Sequence, residues 1–435
     1  PPAHCVLYRG DAFRPLKYWE LQPADSSHLK TDADYLEAFT EVYTEAVRSR
    51  LRCHKNPASM LSGGLDSSTV VALARDLLVA GGEPPLRVYS GISEEGSVCS
   101  ETAAIQAVVS GGNLESVQLR PSDSDGCLDL YLASLQDLED PFDCDWALVF
   151  LMLMLAGRDG CRAMLTGVDG EHAIGAPTGY ISQMIRRGQL REAWRESCGF
   201  SRHYYRGAYS ARALYLRALR SSVVPDYLRV AKMKALGPLR HRREIKKYAI
   251  DSRFAARVNL RSRLRQRDQS RRFNPHKGLQ AWHKHIMEVP FLAVGIERWE
   301  RHGSYAGVEP RHPLLDVRLL QFSAALPLAQ KVHGGWSKIL LRRLADGRLA
   351  NSVAWREGFE QLGWMFTRQV VEGSRADLNL AIKPASAKAA NYLAQDPRGD
   401  FANTHFSLAQ AGSWDQQWSH WRHYWLYHWL GQIQR

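Results

Sequence analysis

Apolar positions change their period twice along the chain. Residues 1–22 carry short alternating runs that predict two strands with a turn at Gly10-Asp11. From Asp32 to Arg52 the apolar residues Tyr35, Leu36, Phe39, Val42, Tyr43 and Val47 recur at the spacing of a helix with one buried stripe. Between Pro57 and Ala176 short apolar runs predict strands at 57–62, 86–93, 114–119 and 162–167. Helical intervals fall between them at about 67–80, 100–110, 127–137 and 145–158. Strands alternating with helices imply a parallel sheet covered on both faces, so the fold class is α/β. From about Arg186 onward the pattern is almost wholly helical, with breaks expected at Pro225, Pro238, Pro275, Pro290, Pro310 and Pro313. The chain therefore reads as an α/β nucleotide-type core over 57–180 with a large helical extension over 181–435. Near the end, Trp414, Trp418, Trp421, Trp425 and Trp429 recur at helical spacing, as a core stripe or a docking face.

Composition narrows the class. With 435 residues and 45% hydrophobic content, the chain is long enough for two or three domains with a large core. Its longest apolar run, Trp146 to Ala156, is too short to span a bilayer. Seven scattered cysteines without a CxxC pair read as reduced thiols in the cytoplasm, not as a disulfide frame or a zinc site. The net charge of +12 is uneven: Arg186 to Arg272 holds 25 Lys and Arg against 6 Asp and Glu. Such a surplus suits a solvated basic face, a peptide or an acidic protein surface. No helix-turn-helix, finger or single-strand-binding signature accompanies it, so nucleic acid ranks last as a partner.

Ser59 to Leu78 reads SMLSGGLDSSTVVALARDLL. An apolar strand end hands over to an amphipathic helix through Ser62-Gly63-Gly64-Leu65-Asp66-Ser67-Ser68. Free backbone N–H groups and the helix dipole make that place an anion site. The two glycines let the backbone approach a phosphate, and Ser67 or Ser68 is expected to cap the helix. A plain capped turn would use the same residue types. The full string, however, resembles the SGGxDSS loop of the ATP-pyrophosphatase superfamily, and no GxxxxGK[ST] occurs. Enzymes with that loop cleave ATP between the α and β phosphates.

Four further segments carry the resemblance to asparagine synthetase-like proteins, which extends over roughly residues 1–360. AMLTGVDGEHAIGAP, 163–177, is similar to a second Gly-rich loop of asparagine and β-lactam synthetases. LEDPFD, 138–143, resembles the stretch that precedes that loop. ERWERHGSYAGVEPRHPLLDVRLLQFSAALP, 297–327, and GGWSKILLRRLADGRLANSVAWREG, 334–358, follow two more family patterns in the same order. The RHPLLD and WREGFEQLG forms and the basic helical middle look most like lasso-peptide cyclases. The resemblance implies an ATP- and Mg2+-dependent, AMP-forming ligase. It would adenylate an Asp or Glu side chain of a precursor peptide and close a macrolactam with the peptide's N-terminal amine. A leader peptidase and a leader-recognition protein are the implied partners. Residues 1–25 would then be the remnant of a glutaminase-like domain, with the synthetase-like domain over 26–435.

Carried over residue by residue, Asp66 and Glu171 match the family's Mg2+ ligands, with Asp169 as a rival. Leu61, Thr166 and Gly167 match contacts to adenosine, and Ser62, Gly63, Gly64, Asp66, Ser67 and Ser68 form the phosphate loop. Lys338 matches a phosphate-contacting lysine. Arg311 and Asp316 are expected to brace the fold as an ion pair, and Glu300 and Arg301 invite the same reading. Two departures stand out. The family lysine after the Trp-Arg pair falls on Phe359, which leaves Arg356 as the substitute cation. The residue after Glu171 is His172. They keep two alternatives open: an asparagine or β-lactam synthetase acting on a small amino acid, or an ATP-binding pseudo-enzyme that holds a peptide.

Overall fold

The computed structural model describes residues 3–10, 12–54, 57–124, 127, 130, 133–134, 146–177, 179–247, 250–274, 277–358, 362–373 and 391–392. The expected LEDPFD segment, Phe359 and the C-terminal tryptophans lie outside the described residues, as does most of the helix expected over 127–137. The chain divides into two compact units. One comprises 1–120, 152–224 and 273–362; the other comprises 121–151, 225–272 and 363–435.

The first unit is built on a parallel sheet. Strands β1 (His4–Arg9) and β2 (Ala12–Lys17) form a separate antiparallel hairpin with Gly10 between them. Next come β3 (Ala58–Met60), β4 (Leu86–Gly91), β5 (Leu114–Leu119), β6 (Ala163–Leu165) and β7 (Glu309–Arg311). All pair in parallel, in the order β5-β4-β3-β6-β7, and helices flank the sheet. Every residue of β3 and β6 is buried, which explains why these strands show no alternation; the polar member, Ser59, donates its hydroxyl to the Leu165 carbonyl. From β3 the chain steps outward to β4 and β5, then returns to the other side of β3 for β6. The crevice outside the carboxyl ends of β3 and β6 is thus a topological switch point.

The helix Asp32–Leu51 starts at a capping box made by Thr31 and Asp34 and buries Phe39, Tyr43, Ala46 and Val47, the stripe its sequence spacing predicts. Phe39 meets Tyr43 and Phe322 with ring centroids 5.7 and 6.3 Å apart. The Tyr43 hydroxyl lies 3.2 Å from Thr69 Oγ1, on the helix Leu65–Ala80 that follows the glycine loop.

The region after Arg186 is mostly helical, as its pattern predicts, with short exceptions: β7 supplies the fifth strand, and Val332–His333 (β8) pairs with Trp336–Ser337 (β9) in a hairpin. Three- and two-residue strands are too short to carry a period. Pro310, an expected helix break, lies between the helices Pro290–Ala306 and Val317–Ala325, in β7, an edge strand where a missing N–H costs little. Pro290 opens the helix Pro290–Ala306, the position proline tolerates best. Pro238 lies inside the helix Asp226–Lys247 of the second unit. Ion pairs from this helix to Leu260–Ser270 hold the turn beyond the proline: Arg267 grips Glu244 through two bonds of 2.6 and 2.8 Å. Tertiary contacts there override local propensity. In the same unit Phe366, Thr367 and Val370 of the helix Gly363–Gly373 are buried.

Arg311 and Asp316 do not form the ion pair expected of them: Arg311 pairs with Glu309 at 2.7 Å and Asp316 with Arg50 and Arg318, and each braces the first unit separately. Arg311 Nη1 donates to the carbonyls of Arg50 and Arg52 at 2.8 and 2.7 Å, at the end of the helix Asp32–Leu51. Asp316 accepts from Arg50 Nη1 at 2.5 Å and from Arg318 Nη2 at 2.9 Å. It also caps the helix Val317–Ala325 through the Arg318 N–H. Burial pushes the Asp316 carboxyl up, but the bonds from Arg318 and Arg50 outweigh it and bring the group down to about 2.

A group lowered in the folded state stabilises above its unfolded pKa and loses that effect as pH falls through its folded pKa. Asp316 should therefore contribute about 2 kcal/mol above pH ~4, fading toward pH ~2. Urea unfolding of wild type and Asp316→Asn should differ by that amount at neutral pH and converge near pH 2. A gap independent of pH would mean that the bonds to Arg50 and Arg318 are not charge-assisted.

Candidate active site

The loop after β3 and the loop after β6 meet at the switch point. Leu61 donates its N–H to the Tyr89 carbonyl at 2.9 Å, its side chain fully inside the core. Gly63 follows with φ +69°, and a Cβ there would come within 2.7 Å of the Glu101 carbonyl oxygen. Only glycine fits both that dihedral and that space. The helix then begins at Leu65 with Gly64 as its N-cap and no side-chain cap bond, so neither Ser67 nor Ser68 serves as the cap. Ser67 closes the loop instead: its Oγ lies 2.9 Å from Ser62 Oγ, accepts the Ser62 N–H at 3.2 Å and donates to the Gly64 carbonyl at 3.2 Å. Ser68 is buried, and its Oγ has no hydrogen-bond partner.

The loop after β6 packs directly on this turn. A Cβ on Gly167 would lie 2.7 Å from Ser67 Cα, and one on Gly170 would lie 2.6 Å from both carboxylate oxygens of Asp66. Both glycines are thus required by close approach. Thr166 is buried at the end of β6, its Oγ1 2.7 Å from His312 Nδ1. Asp169 takes a left-handed conformation, φ +61°, and its Oδ1 lies 2.9 Å from His172 Nδ1. Glu171 shares a lysine with Asp66, while Asp169 is engaged with His172.

A cation joins the two loops. Lys338 Nζ donates to Asp66 Oδ2 at 2.7 Å and lies 3.3 Å from Glu171 Oε2. Burial works against the Lys338 charge, yet the two carboxylates more than offset this and hold its pKa above the ordinary value. The Lys338 side chain is 13% exposed, whereas that of Glu171 is 59% exposed. The pair thus opens to solvent on the Glu171 side. Asp66 Oδ1 is buried without a partner.

Lys338 owes its position to the β8–β9 hairpin. Gly334 and Gly335 both have positive φ, +57° and +81°, which suits a two-residue hairpin turn. Their N–H groups donate to the two oxygens of buried Glu196 at 2.7 and 2.8 Å. A Cβ on Gly199 would collide with the Gly334 carbonyl, so the turn sits against the helix Leu190–His203 backbone to backbone. Directly after the hairpin, Lys338 itself adopts φ +56°, an unfavourable conformation for a side-chain-bearing residue.

Residues that the sequence pattern did not single out complete the site. Arg342, one turn beyond Lys338, lies over Trp336 at 4.4 Å and reaches Trp355 at 5.9 Å. It donates to the Ser337 and Ala354 carbonyls. Burial lowers it to about 10, with Arg356 adding to the fall while Asp66 and Glu171 oppose it. Arg356 is therefore near Arg342, and its Nη1 is buried without a partner. Lys331 is fully buried, donating to Ser323 Oγ at 2.7 Å; burial lowers it to about 7, while Glu171 opposes. Tyr204 is raised by burial first and by Glu171 second. The four-residue spacing from Lys338 to Arg342 was a signal in the sequence; Lys331 and Tyr204 had none.

The donor set suits a nucleotide and a divalent cation. Two carboxylates share one ammonium, one of them with an unpartnered oxygen, beside a glycine turn followed by the unpartnered hydroxyl of Ser68. No group of three His, Cys, Asp or Glu residues placed to hold a metal occurs among the described residues, so a metal here would complete its shell with water, backbone carbonyls or the oxygens of a bound ligand.

Comparison with known proteins places the chain in a family. The asparagine synthase family profile matches residues 38–430. Asparagine synthetase [glutamine-hydrolyzing] 3 of Bacillus subtilis (strain 168) is 29% identical over 105 residues. That stretch covers 24% of this chain and 17% of the relative. With nearly the whole chain matched, the protein belongs to the asparagine synthase family.

Proposed function

We propose that the protein is an ATP-dependent, AMP-forming carbon–nitrogen ligase. The observation that supports this reading most directly is the Lys338 ammonium held between Asp66 and Glu171, beside the glycine loop of residues 62–68. Adenylation needs positive charge where pyrophosphate departs, and a site that keeps water off the mixed anhydride. The Gly63–Gly64 turn would receive the outer phosphates with its N–H groups. Leu61, Thr166 and Gly167 would border the adenosine.

Asp66 and Glu171 would hold Mg2+, which neutralises phosphate charge when bound. Lys338, released from part of its carboxylate pairing, would contact the phosphates. In the first step a substrate carboxylate oxygen attacks the α-phosphorus and the bond to the β-phosphate oxygen breaks, leaving acyl-adenylate and pyrophosphate. In the second, an amine attacks the acyl carbon, AMP leaves, and the amine gives up a proton. Arg356 and Arg342 would stabilise the negative charge that develops during this transfer.

For the substrate, the RHPLLD and WREGFEQLG segments and the basic helical middle favour a precursor peptide closed into a macrolactam. A leader peptidase and a leader-recognition protein would act with the protein in the cytoplasm. A second reading, aspartate or another small amino acid as substrate, is favoured by the asparagine synthetase relative.

Incubating the protein with ATP, Mg2+ and candidate peptides should release AMP and a product lighter by one water; ADP release would refute the reading. Aspartate with glutamine or ammonia, run in parallel, separates the two substrates. Asp66→Asn should lower AMP formation by roughly 100-fold or more with the fold intact, since it removes a charge aimed at the phosphates. Arg356→Gln should leave ATP–pyrophosphate exchange within about two-fold of wild type while product formation falls roughly ten-fold or more. Equal losses in both steps would move Arg356 out of the acyl-transfer role.

A further inference from the structure

The stretch 225–272, one contiguous part of the second unit, contains 16 Lys and Arg against 4 Asp and Glu. Its surplus of 12 equals the net charge of the entire chain, and the other 387 residues hold 41 charges of each sign. The protein is thus an electrically balanced body with a strongly cationic segment. The four carboxylates are used internally. Asp226 pairs with Arg272, Glu244 with Arg267, and Asp268 with Arg240, His241 and Arg267. Asp251 caps the helix Ser252–Arg257 by accepting from the Arg253 and Phe254 N–H groups. Among the described residues, Lys232, Lys234, Arg243, Arg261, Arg263 and Arg265 have no carboxylate partner, and all six are exposed. No residue of the helix Leu260–Ser270 is buried.

The cations are arranged around an apolar floor. A groove of about 540 Å3 runs along the helix Asp226–Lys247, with Met233, Leu236 and Leu239 among its lining and Arg229, Lys232 and Arg243 as cationic neighbours. Leu236 and Leu239 are 50% and 58% exposed. From Arg229 to Arg243 the helix rises by ~21 Å, enough for several turns of a docked helix. Cations alone would suit any polyanion. The leucines and the methionine decide between classes: aliphatic side chains offer no stacking platform for nucleobases, whereas they accept leucine-type anchors of a peptide.

We propose that this groove docks an acidic, amphipathic segment of a polypeptide, its carboxylates on Lys232 and Arg243 and its apolar residues on Leu236 and Leu239. The surface stands independently of the ligase reading. Its clustered like charges repel one another in the free protein, and an anionic partner relieves that repulsion.

The test uses the full chain and a fluorescent 20-residue peptide with Glu and Leu at helical spacing, followed by anisotropy at low salt. Lys232→Glu/Arg243→Glu should weaken binding at least ten-fold, and Leu239→Ser about three-fold. Arg212→Glu/Arg217→Glu, an equal charge change on an exposed helix of the first unit, should leave binding within two-fold. Thermal melts confirm that all variants fold. Three outcomes overturn the proposal: an equal response of the two double variants, equal binding of the peptide with Gln in place of Glu, or displacement by a 20-nucleotide oligo-dT at lower concentration than by unlabelled peptide.

Discussion

One ammonium group holds the candidate site together. Asp66 and Glu171 arrive on different loops of the sheet, and without a cation between them their charges would push those loops apart. Lys338 Nζ lies 2.7 Å from one and 3.3 Å from the other. The same arrangement that offsets repulsion in the free protein gathers the acidic and basic groups that a nucleotide with its divalent cation would require. Stability and the proposed chemistry share one set of charges, as perturbed ionisable clusters in clefts often do.

That contact depends on backbone geometry well away from it. Lys338 is delivered by a hairpin whose two glycines both have positive φ and whose N–H groups are held by the oxygens of buried Glu196. On the opposite side, Gly170 allows the loop after β6 to close on the Asp66 carboxylate, and Gly167 allows it to close on Ser67. Arg342 is held over Trp336 and to the Ser337 carbonyl, which fixes the start of the helix that Lys338 precedes. A displacement of any of these supports would change the carboxylate spacing.

The charge distribution separates two kinds of surface. Around the switch point, cations and carboxylates are interleaved and partly buried, so each limits the other's field. In the stretch 225–272 the carboxylates are consumed by helix-to-helix pairs and a helix cap, and Lys232, Lys234, Arg243, Arg261, Arg263 and Arg265 face water. The first arrangement positions groups for chemistry; the second projects a field.

Much of this was legible along the chain. The alternation of strand and helix from Pro57 to Ala176, the stripe of the helix Asp32–Leu51 and the glycine turn before Asp66 are local patterns, because the hydrophobic period and glycine's dihedral freedom act within a few residues. That Asp66 and Lys338 belong to one site was legible only through family resemblance, and their direct ion pair was not legible at all, since 272 residues separate them. Other features were decided by tertiary structure alone. Three residues at Glu309–Arg311 become a strand only because β6 offers an open edge. Lys331 becomes a fully buried amine through surroundings assembled from distant segments. Helix capping by Gly64 instead of a serine follows from loop closure against the β6 loop. Short-range order is written in neighbouring residues, whereas burial and charge pairing depend on which distant segments the fold brings together.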